Sequence, residues 1–276
     1  MDSIEYAKSI IDEAEAIIIT AGAGMGVDSG LPDFRGDNGF WKAYPVAKEL
    51  GYNFSQMADP KWFKEDPKFA WAFYGHRLNL YRDTNPHEGF ALLLDLVRRK
   101  NDNYFIYTSN VDGQFQKAGF DKNKIVEVHG SIHHMQCSQL CKKIVSAKEI
   151  NIDVDMELFQ AQEIPFCKKC GAVMRPNILM FNDWEWRESR VNEQHKSYRN
   201  WLKNALVSKI AIIEIGAGMA ISTIRIEGQR VAKQLPFAKL IRINPRDYTI
   251  DPSLGLSLSC GAKDGLDLLL NAKSSH

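Results

Sequence analysis

The chain is expected to fold as an α/β protein, a doubly wound parallel sheet of Rossmann-like form that carries a small zinc-binding module and a helical insertion. Three observations predict this. Short, continuously apolar runs recur along the chain with helical patterns between them. A stretch dense in Trp, Phe and Tyr, at about 36–85, breaks that alternation. Four cysteines in two close pairs all fall between about 132 and 180.

The first element reads as a helix over Ile4–Ala14, because Ile4, Ala7, Ile10, Ile11 and Ala14 share one stripe. The run Ala16–Thr20 follows, apolar at consecutive positions, as expected of a strand buried on both faces of a helix-covered parallel sheet. Similar runs occur at Tyr104–Thr108, Ile125–Val128, Ile210–Ile215 and Leu240–Ile243, and helical patterns at Gly89–Lys100 and Ile224–Leu235. Strands and helices alternating in this way imply parallel pairing. The Rossmann-like part is expected to comprise residues 1–35, 86–131 and 181–276. The insertion takes 36–85, and the cysteine module, read as a separate unit, takes 132–180.

Composition narrows the function classes. With 45% hydrophobic and 25% charged residues among 276, the chain reads as an ordinary globular protein. Its 35 basic and 34 acidic residues leave a net charge of +1, so bulk electrostatics give no case for nucleic acid binding. No apolar run approaches the roughly 20 residues needed to cross a bilayer, and the acidic start does not read as a secretory signal. A reducing, cytoplasmic setting is expected.

In such a setting paired cysteines suggest a metal rather than disulfides. Cys137-x3-Cys141 and Cys167-x2-Cys170, the second followed by Gly171, have the form of two chelating turns. Four thiolates suit tetrahedral zinc at about 2.3 Å per sulfur and close its coordination sphere, so the ion would be structural. His133 and His134 are then not needed as ligands, and Cys260 is expected to pack in the core.

The strand Ala16–Thr20 runs into Gly22-Ala23-Gly24-Met25-Gly26. Glycines here fit either a tight packed turn or close approach of backbone to a pyrophosphate at a following helix N-terminus. The spacing is GxGxG, not the GxGxxG of dehydrogenases, so hydride transfer is not the natural inference. Ser109, Asn110 and Asp112 follow the strand Tyr104–Thr108, where polar groups either build a turn or face a ligand crevice. His129 closes the next strand; an imidazole titrating near 6.5 can serve as a general base at neutral pH.

Taken in order, these segments resemble the sirtuin family. Gly22–Gly36 resembles GAGxSxxSGIPDFRG, with Gly26 standing where the family has serine. The segment from Thr108 to Gly119 resembles TQNIDxLHxxAG, with Ser109, Gln114 and Phe115 departing from it. Glu127–Ser131 resembles ExHGS, and Met174–Asp183 resembles LRPxIVxFGE with Asn182 and Asp183 in the last two places. Gly216-Ala217-Gly218 sits where sirtuins carry GTS, while Ile243-Asn244 and Gly261-Ala262 resemble stretches near the adenosine. The likeness runs from about Ala16 to Asp267.

The resemblance implies an NAD-dependent protein lysine deacylase that consumes NAD as co-substrate, acts on an acyl-lysine protein or peptide and releases nicotinamide and O-acyl-ADP-ribose. It implies His129 as general base, with Asn110 and Asp112 at the nicotinamide. The cofactor would also meet Gly22, Ala23, Gly24, Asp33, Phe34, Arg35, Ser109, Gly216, Ala217, Gly218, Asn244 and Ala262. Met180 and Phe181 would line the acyl-lysine channel. Tyr74 and Arg77, three apart on a helical pattern and followed by Asn85-Pro86, resemble the Tyr-x-x-Arg of desuccinylase/demalonylase sirtuins, which would favour an acyl chain ending in carboxylate. The substituted motif positions also admit an NAD hydrolase or mono-ADP-ribosyltransferase, or a non-catalytic NAD-binding module.

Overall fold

The structure, a computed structural model, describes residues 2–33 and 36–271. A six-stranded sheet forms its centre. In chain order its strands are β1 (Ala16–Ala21), β2 (Tyr104–Thr108), β3 (Ile125–Glu127), β9 (Ile210–Ile215), β10 (Ala238–Ile243) and β11 (Gly255–Leu258), while the strands between β3 and β9 in the chain lie outside it. The spatial order is β11-β10-β9-β1-β2-β3, and every pairing is parallel. Strand order therefore reverses between β1 and β9, and such a reversal opens a crevice at the carboxyl ends of the two strands.

The alternation of side chains along β1 assigns the layers. Ile17 and Ile19 pack with residues of α1 (Ser3–Glu13), α7 (Glu88–Arg99) and α11 (Ala262–Leu270). Ala16 and Ile18 face the other way, onto α10 (Thr223–Gln234) and the end of α9 (Ser189–Asn204). A strand with successive side chains on opposite faces is buried throughout when both faces are covered, as all six residues of β1 are. Predicted strands and helices agree with these spans to within one or two residues. The edge strand β11 and the helices α9 and α11 have no counterpart in the expected elements.

The aromatic insertion is helical, as expected: α2 (Gly36–Ala43), α3 (Pro45–Glu49), α4 (Phe54–Met57), α5 (Trp62–Glu65) and α6 (Pro67–Asp83). Local signals set the ends. Asn53 and Gln56 form a capping box on α4, and Asp66 caps α6 directly before Pro67, where a missing N–H costs nothing. α8 (Gln114–Lys117) is a single turn after β2.

The cysteine segment holds β4 (Gly130–Cys137), β5 (Val145–Ser146) and β8 (Met174–Ile178) in one antiparallel sheet, plus a hairpin of β6 (Val154–Asp155) and β7 (Gln160–Ala161). This segment packs tightly against the helical insertion. Met135, Ile152, Phe159 and Met174 share one apolar cluster with Phe40, Phe69, Trp71 and Phe73 of the insertion. The Trp71 indole N–H donates to the Met174 carbonyl at 2.9 Å, and Arg82 donates to the carbonyls of Ala147 and Ile150 at 2.7 Å. A unit this small cannot bury enough apolar surface alone, so it borrows the aromatic face of α6. Among the described residues no helix is long and apolar enough to cross a membrane.

Candidate active site

A cavity of about 640 Å³ opens at the carboxyl ends of the sheet. Gly22 and Ala23 after β1, Ser109, Asn110 and Asp112 after β2, His129 after β3, and Gly216, Ala217 and Gly218 after β9 all line it. Tyr74 and Arg77 of α6 and Met180 and Phe181 beyond β8 complete the wall. Residues scattered over most of the chain thus converge at the point where strand order reverses.

The two glycine-bearing turns touch backbone to backbone. Gly24 N–H donates to the Gly216 carbonyl at 3.1 Å. A Cβ on Gly22 would lie 2.7 Å from that oxygen, and one on Gly216, whose φ is +62°, would lie 2.4 Å from the Gly24 carbonyl carbon. Only glycine permits both the conformation and the approach. Packing is therefore one role of these glycines. The following segment is not the helix that a pyrophosphate site there would lead one to expect; it makes two short 3-10 turns, Ala23–Met25 and Val27–Ser29. Instead, the backbone N–H groups of Ala217 and Gly218 find no partner among the described residues, although Ala217 is buried. A buried donor left unpaired, such as that of Ala217, calls for an acceptor, and a phosphate supplies one. The donor set fits a dinucleotide.

Asn110 Nδ2 donates to the Gly22 carbonyl at 3.1 Å, tying the turn after β2 to the turn after β1. His129 is largely enclosed; burial holds its pKa below 6.5 against a hydrogen bond with the Ser109 backbone. Asp112 is buried, accepts from the Gln114 N–H at 2.9 Å, and offers its carbonyl to His133 Nε2 at 2.8 Å. Burial, assisted by the charge of Glu127, raises its carboxyl from 3.8 to about 6, while the Gln114 N–H and Arg77 oppose the shift.

That shift has a thermodynamic consequence. A carboxyl whose folded pKa is raised contributes stability that is present below its unfolded value and lost as pH rises through about 6. Asp112→Asn is expected to be more stable than the parent protein at pH 8 by about 2–3 kcal/mol, taking roughly 1.4 kcal/mol per unit, and nearly equal to it at pH 4. Urea unfolding at the two pH values checks this; a pH-independent difference would refute it.

Arg77 is buried, not the surface arginine that helical spacing equally allows. Its guanidinium donates to the Tyr81 hydroxyl at 2.9 and 3.1 Å and sits 5.2–5.7 Å from the ring centroids of Phe73, Tyr74 and Tyr81. The Tyr74 hydroxyl is buried with no hydrogen-bond partner among the described residues.

The motif departures near Met180 resolve into structural roles. Asp183 pairs with the buried Arg175 and accepts from the Met180 N–H at 3.3 Å, so it braces the loop. Asn182 takes a left-handed φ of +56°, a conformation that asparagine tolerates where the family has glycine. Gly24 and Ala262 do not line the large cavity. They line a smaller adjoining pocket of about 80 Å³ together with Asp33, Gly216 and Arg246. Asn244 lines neither. It is fully buried, donates to the Ala217 carbonyl at 2.9 Å, and accepts from the N–H groups of Arg246 and Asp247, so it braces the loop. Phe34 and Arg35 lie outside the described residues. Sequence reasoning missed Tyr81, Leu31, Arg246 and Asp247 in the wall, none of which carries a local signal.

The four paired cysteines come together. All four Sγ atoms lie within 4.8 Å of one another, with close pairs at 3.2–3.5 Å. Gly171 at φ +74° donates to the Cys167 carbonyl, and Leu140 at φ +51° to that of Cys137. These are the tight turns that aim two thiolates at one point. Sulfurs bound tetrahedrally at about 2.3 Å would stand slightly under 4 Å apart, so the cluster fits a structural zinc site.

Residues 22–206, well over half of the chain, match the model of the Sir2 family. The chain belongs to the Sir2 family. Among its relatives is an NAD-dependent protein deacylase of Thermus thermophilus, 27% identical over 98% of this chain and 95% of that one. A second, from Thermococcus kodakarensis, is 33% identical over 64% of each. The fold is that of solved Sir2 structures: a Sir2 homologue–NAD complex is 22% identical and superposes with a TM-score of 0.74 over 98% of this chain and 93% of that one. This Sir2 chain thus combines the parallel sheet and the cysteine cluster with glycine-bearing turns that line one cavity.

Proposed function

We propose that the chain is an NAD-dependent protein lysine deacylase, with His129, Asn110 and Asp112 as its working groups. The observation that carries the reading is the convergence of these three with two touching glycine turns around one cavity. Relatives named as NAD-dependent protein deacylases or deacetylases support it, as does a Sir2 structure bound to acetylated peptide, 20% identical to this chain with a TM-score of 0.67 over 96% of each.

Bound NAD would supply an electrophilic ribose carbon that takes the acyl oxygen as nicotinamide leaves. Asn110, bridged to Gly22, would orient the nicotinamide end. His129, kept neutral by burial, would take a proton from a ribose hydroxyl. The apolar walls from Met180, Phe181 and α6 would exclude water while both substrates are held, and positioning of this kind can account for a large part of an enzyme's rate.

Nicotinamide release measured with and without acetyl-, succinyl- and longer acyl-lysine peptides tests the reading. Release that requires an acyl peptide supports it. ADP-ribose formed without peptide would assign an NAD hydrolase instead, and NAD binding without release a non-catalytic module.

We further infer a preference for acyl groups ending in carboxylate. The Tyr74 hydroxyl and the Arg77 guanidinium, both in the cavity wall, would pair with that group. Arg77→Met is expected to lower kcat/KM for succinyl-lysine by about ten- to a hundredfold and to leave acetyl-lysine nearly unchanged in the same preparation. Equal loss on both substrates would remove Arg77 as a specificity group.

A further inference from the structure

The large cavity and the side pocket share three lining residues, Asp33, Gly216 and Arg246. These three mark the neck through which a molecule occupying both spaces must pass. At the neck the Arg246 guanidinium stands 3.5 Å from the Asp33 carboxylate.

The backbone that carries Arg246 is pinned from beneath. Its N–H donates to Asn244 Oδ1 at 3.0 Å. The buried Arg225 donates to the carbonyls of Asp247 and Thr249 at 2.6 and 3.1 Å, and the Asp247 carboxylate accepts from the Met219 N–H at 3.1 Å. The side chain itself is 67% exposed. A cation that can turn toward a ligand is therefore held on a fixed loop.

Charge at the neck gives this cation a role. A dinucleotide that reaches from His129 to the side pocket must lay its pyrophosphate near the residues common to both spaces. There the Asp33 carboxylate would repel it. Among the described residues lining either space, the lysine and arginine side chains are those of Arg77 and Arg246, and Arg77 lines the large cavity alone. The turns at Gly26, Ala217 and Gly218 present no hydroxyl.

We propose that Arg246 is the phosphate-pairing residue of this site: it binds the dinucleotide pyrophosphate, offsets the Asp33 carboxylate beside it, and takes the place of the hydroxyls that the glycine turns lack. The inference rests on the dinucleotide reading above and adds the group that recognises the anion.

The test measures binding of ADP-ribose by calorimetry and of adenosine by NMR titration to the full, zinc-loaded chain. Arg246→Gln is expected to weaken ADP-ribose by about ten- to a hundredfold, the effect of losing a charge-assisted contact, to flatten the salt dependence of that binding, and to leave adenosine unchanged. Arg246→Lys should recover most of the affinity. Adding Asp33→Asn to Arg246→Gln should recover part of it, because the repelling carboxylate is gone. ADP-ribose binding to Arg246→Gln at parental strength would overturn the proposal. Equal weakening of ADP-ribose and adenosine would also overturn it, since that pattern assigns Arg246 to loop shape. If the parent protein binds no ADP-ribose, the dinucleotide reading itself fails.

Discussion

Replacing His129 by asparagine is expected to lower acyl-lysine turnover by about 10²–10⁴-fold, the usual contribution of a positioned general base. Nicotinamide release in the first step should persist, because the proposed proton transfer follows departure of nicotinamide. ADP-ribose binding should also survive, since asparagine is smaller than histidine and leaves the cavity open. The acid limb of the parent's kcat/KM profile should lie below pH 6.5: burial holds the imidazole pKa under that value, so the neutral base persists to lower pH than a free imidazole would. Activity is lost as pH falls through the lowered pKa. Single-turnover assays that separate nicotinamide release from product formation, with a pH series on the parent, check both parts. Unchanged turnover in the variant would remove His129 as the base.

Stripping the cysteine cluster of metal, or replacing Cys137 by serine, should have the second large effect. Zinc bound by four cysteines couples to folding, with apparent binding free energies of about 10–16 kcal/mol in small zinc domains. Here the effect should spread beyond the cysteine segment. Cys137, Cys167, Ile152 and Phe159 belong to the same apolar cluster as Phe40, Phe73 and Trp71, and β8 leads directly into Met180 and Phe181. Metal loss should lower the melting temperature by on the order of 10 °C and abolish acyl-lysine turnover. The parallel sheet, whose packing clusters are distinct, should remain folded by hydrogen exchange. Metal analysis should find one zinc per chain. A protein that keeps its melting temperature and activity after chelation would refute this.

Low pH should weaken the fold through several histidines. His76, His87, His129, His133, His134 and His195 all have pKa values lowered by burial, His134 to about 4. A depressed histidine gives stability that is present above its unfolded value near 6.5 and lost as pH falls toward the folded one. Asp112 acts in the opposite direction, as argued above.

Much of this molecule was legible in local patterns. β1, β2 and β9 are buried at every position and mostly apolar because both faces of the sheet are covered, and runs of that kind are visible without coordinates. The cysteine pairs were equally plain, since two residues on one turn can aim at a common point only at short spacing. Elements with weak periodic signals escaped. β11 is a half-exposed edge strand beginning at Gly255, and α9 buries Val191 and Tyr198 on an otherwise charged surface. Neither shows the apolar regularity that marks an element from sequence.

Local order along the chain specifies the strand and helix alternation, the close pairing of the four cysteines and the order of motifs that bring His129, Asn110 and Asp112 to strand ends. Each depends on near neighbours in the chain, whose geometry is set by spacing. Packing in three dimensions, by contrast, puts the cysteine segment and the aromatic insertion in one core, buries Arg77, sets Asn244 to brace a loop, and brings Arg246 to Asp33 at the neck between two cavities. Those outcomes rest on contacts between residues far apart in sequence, where burial and charge act through space and leave no periodic trace along the chain.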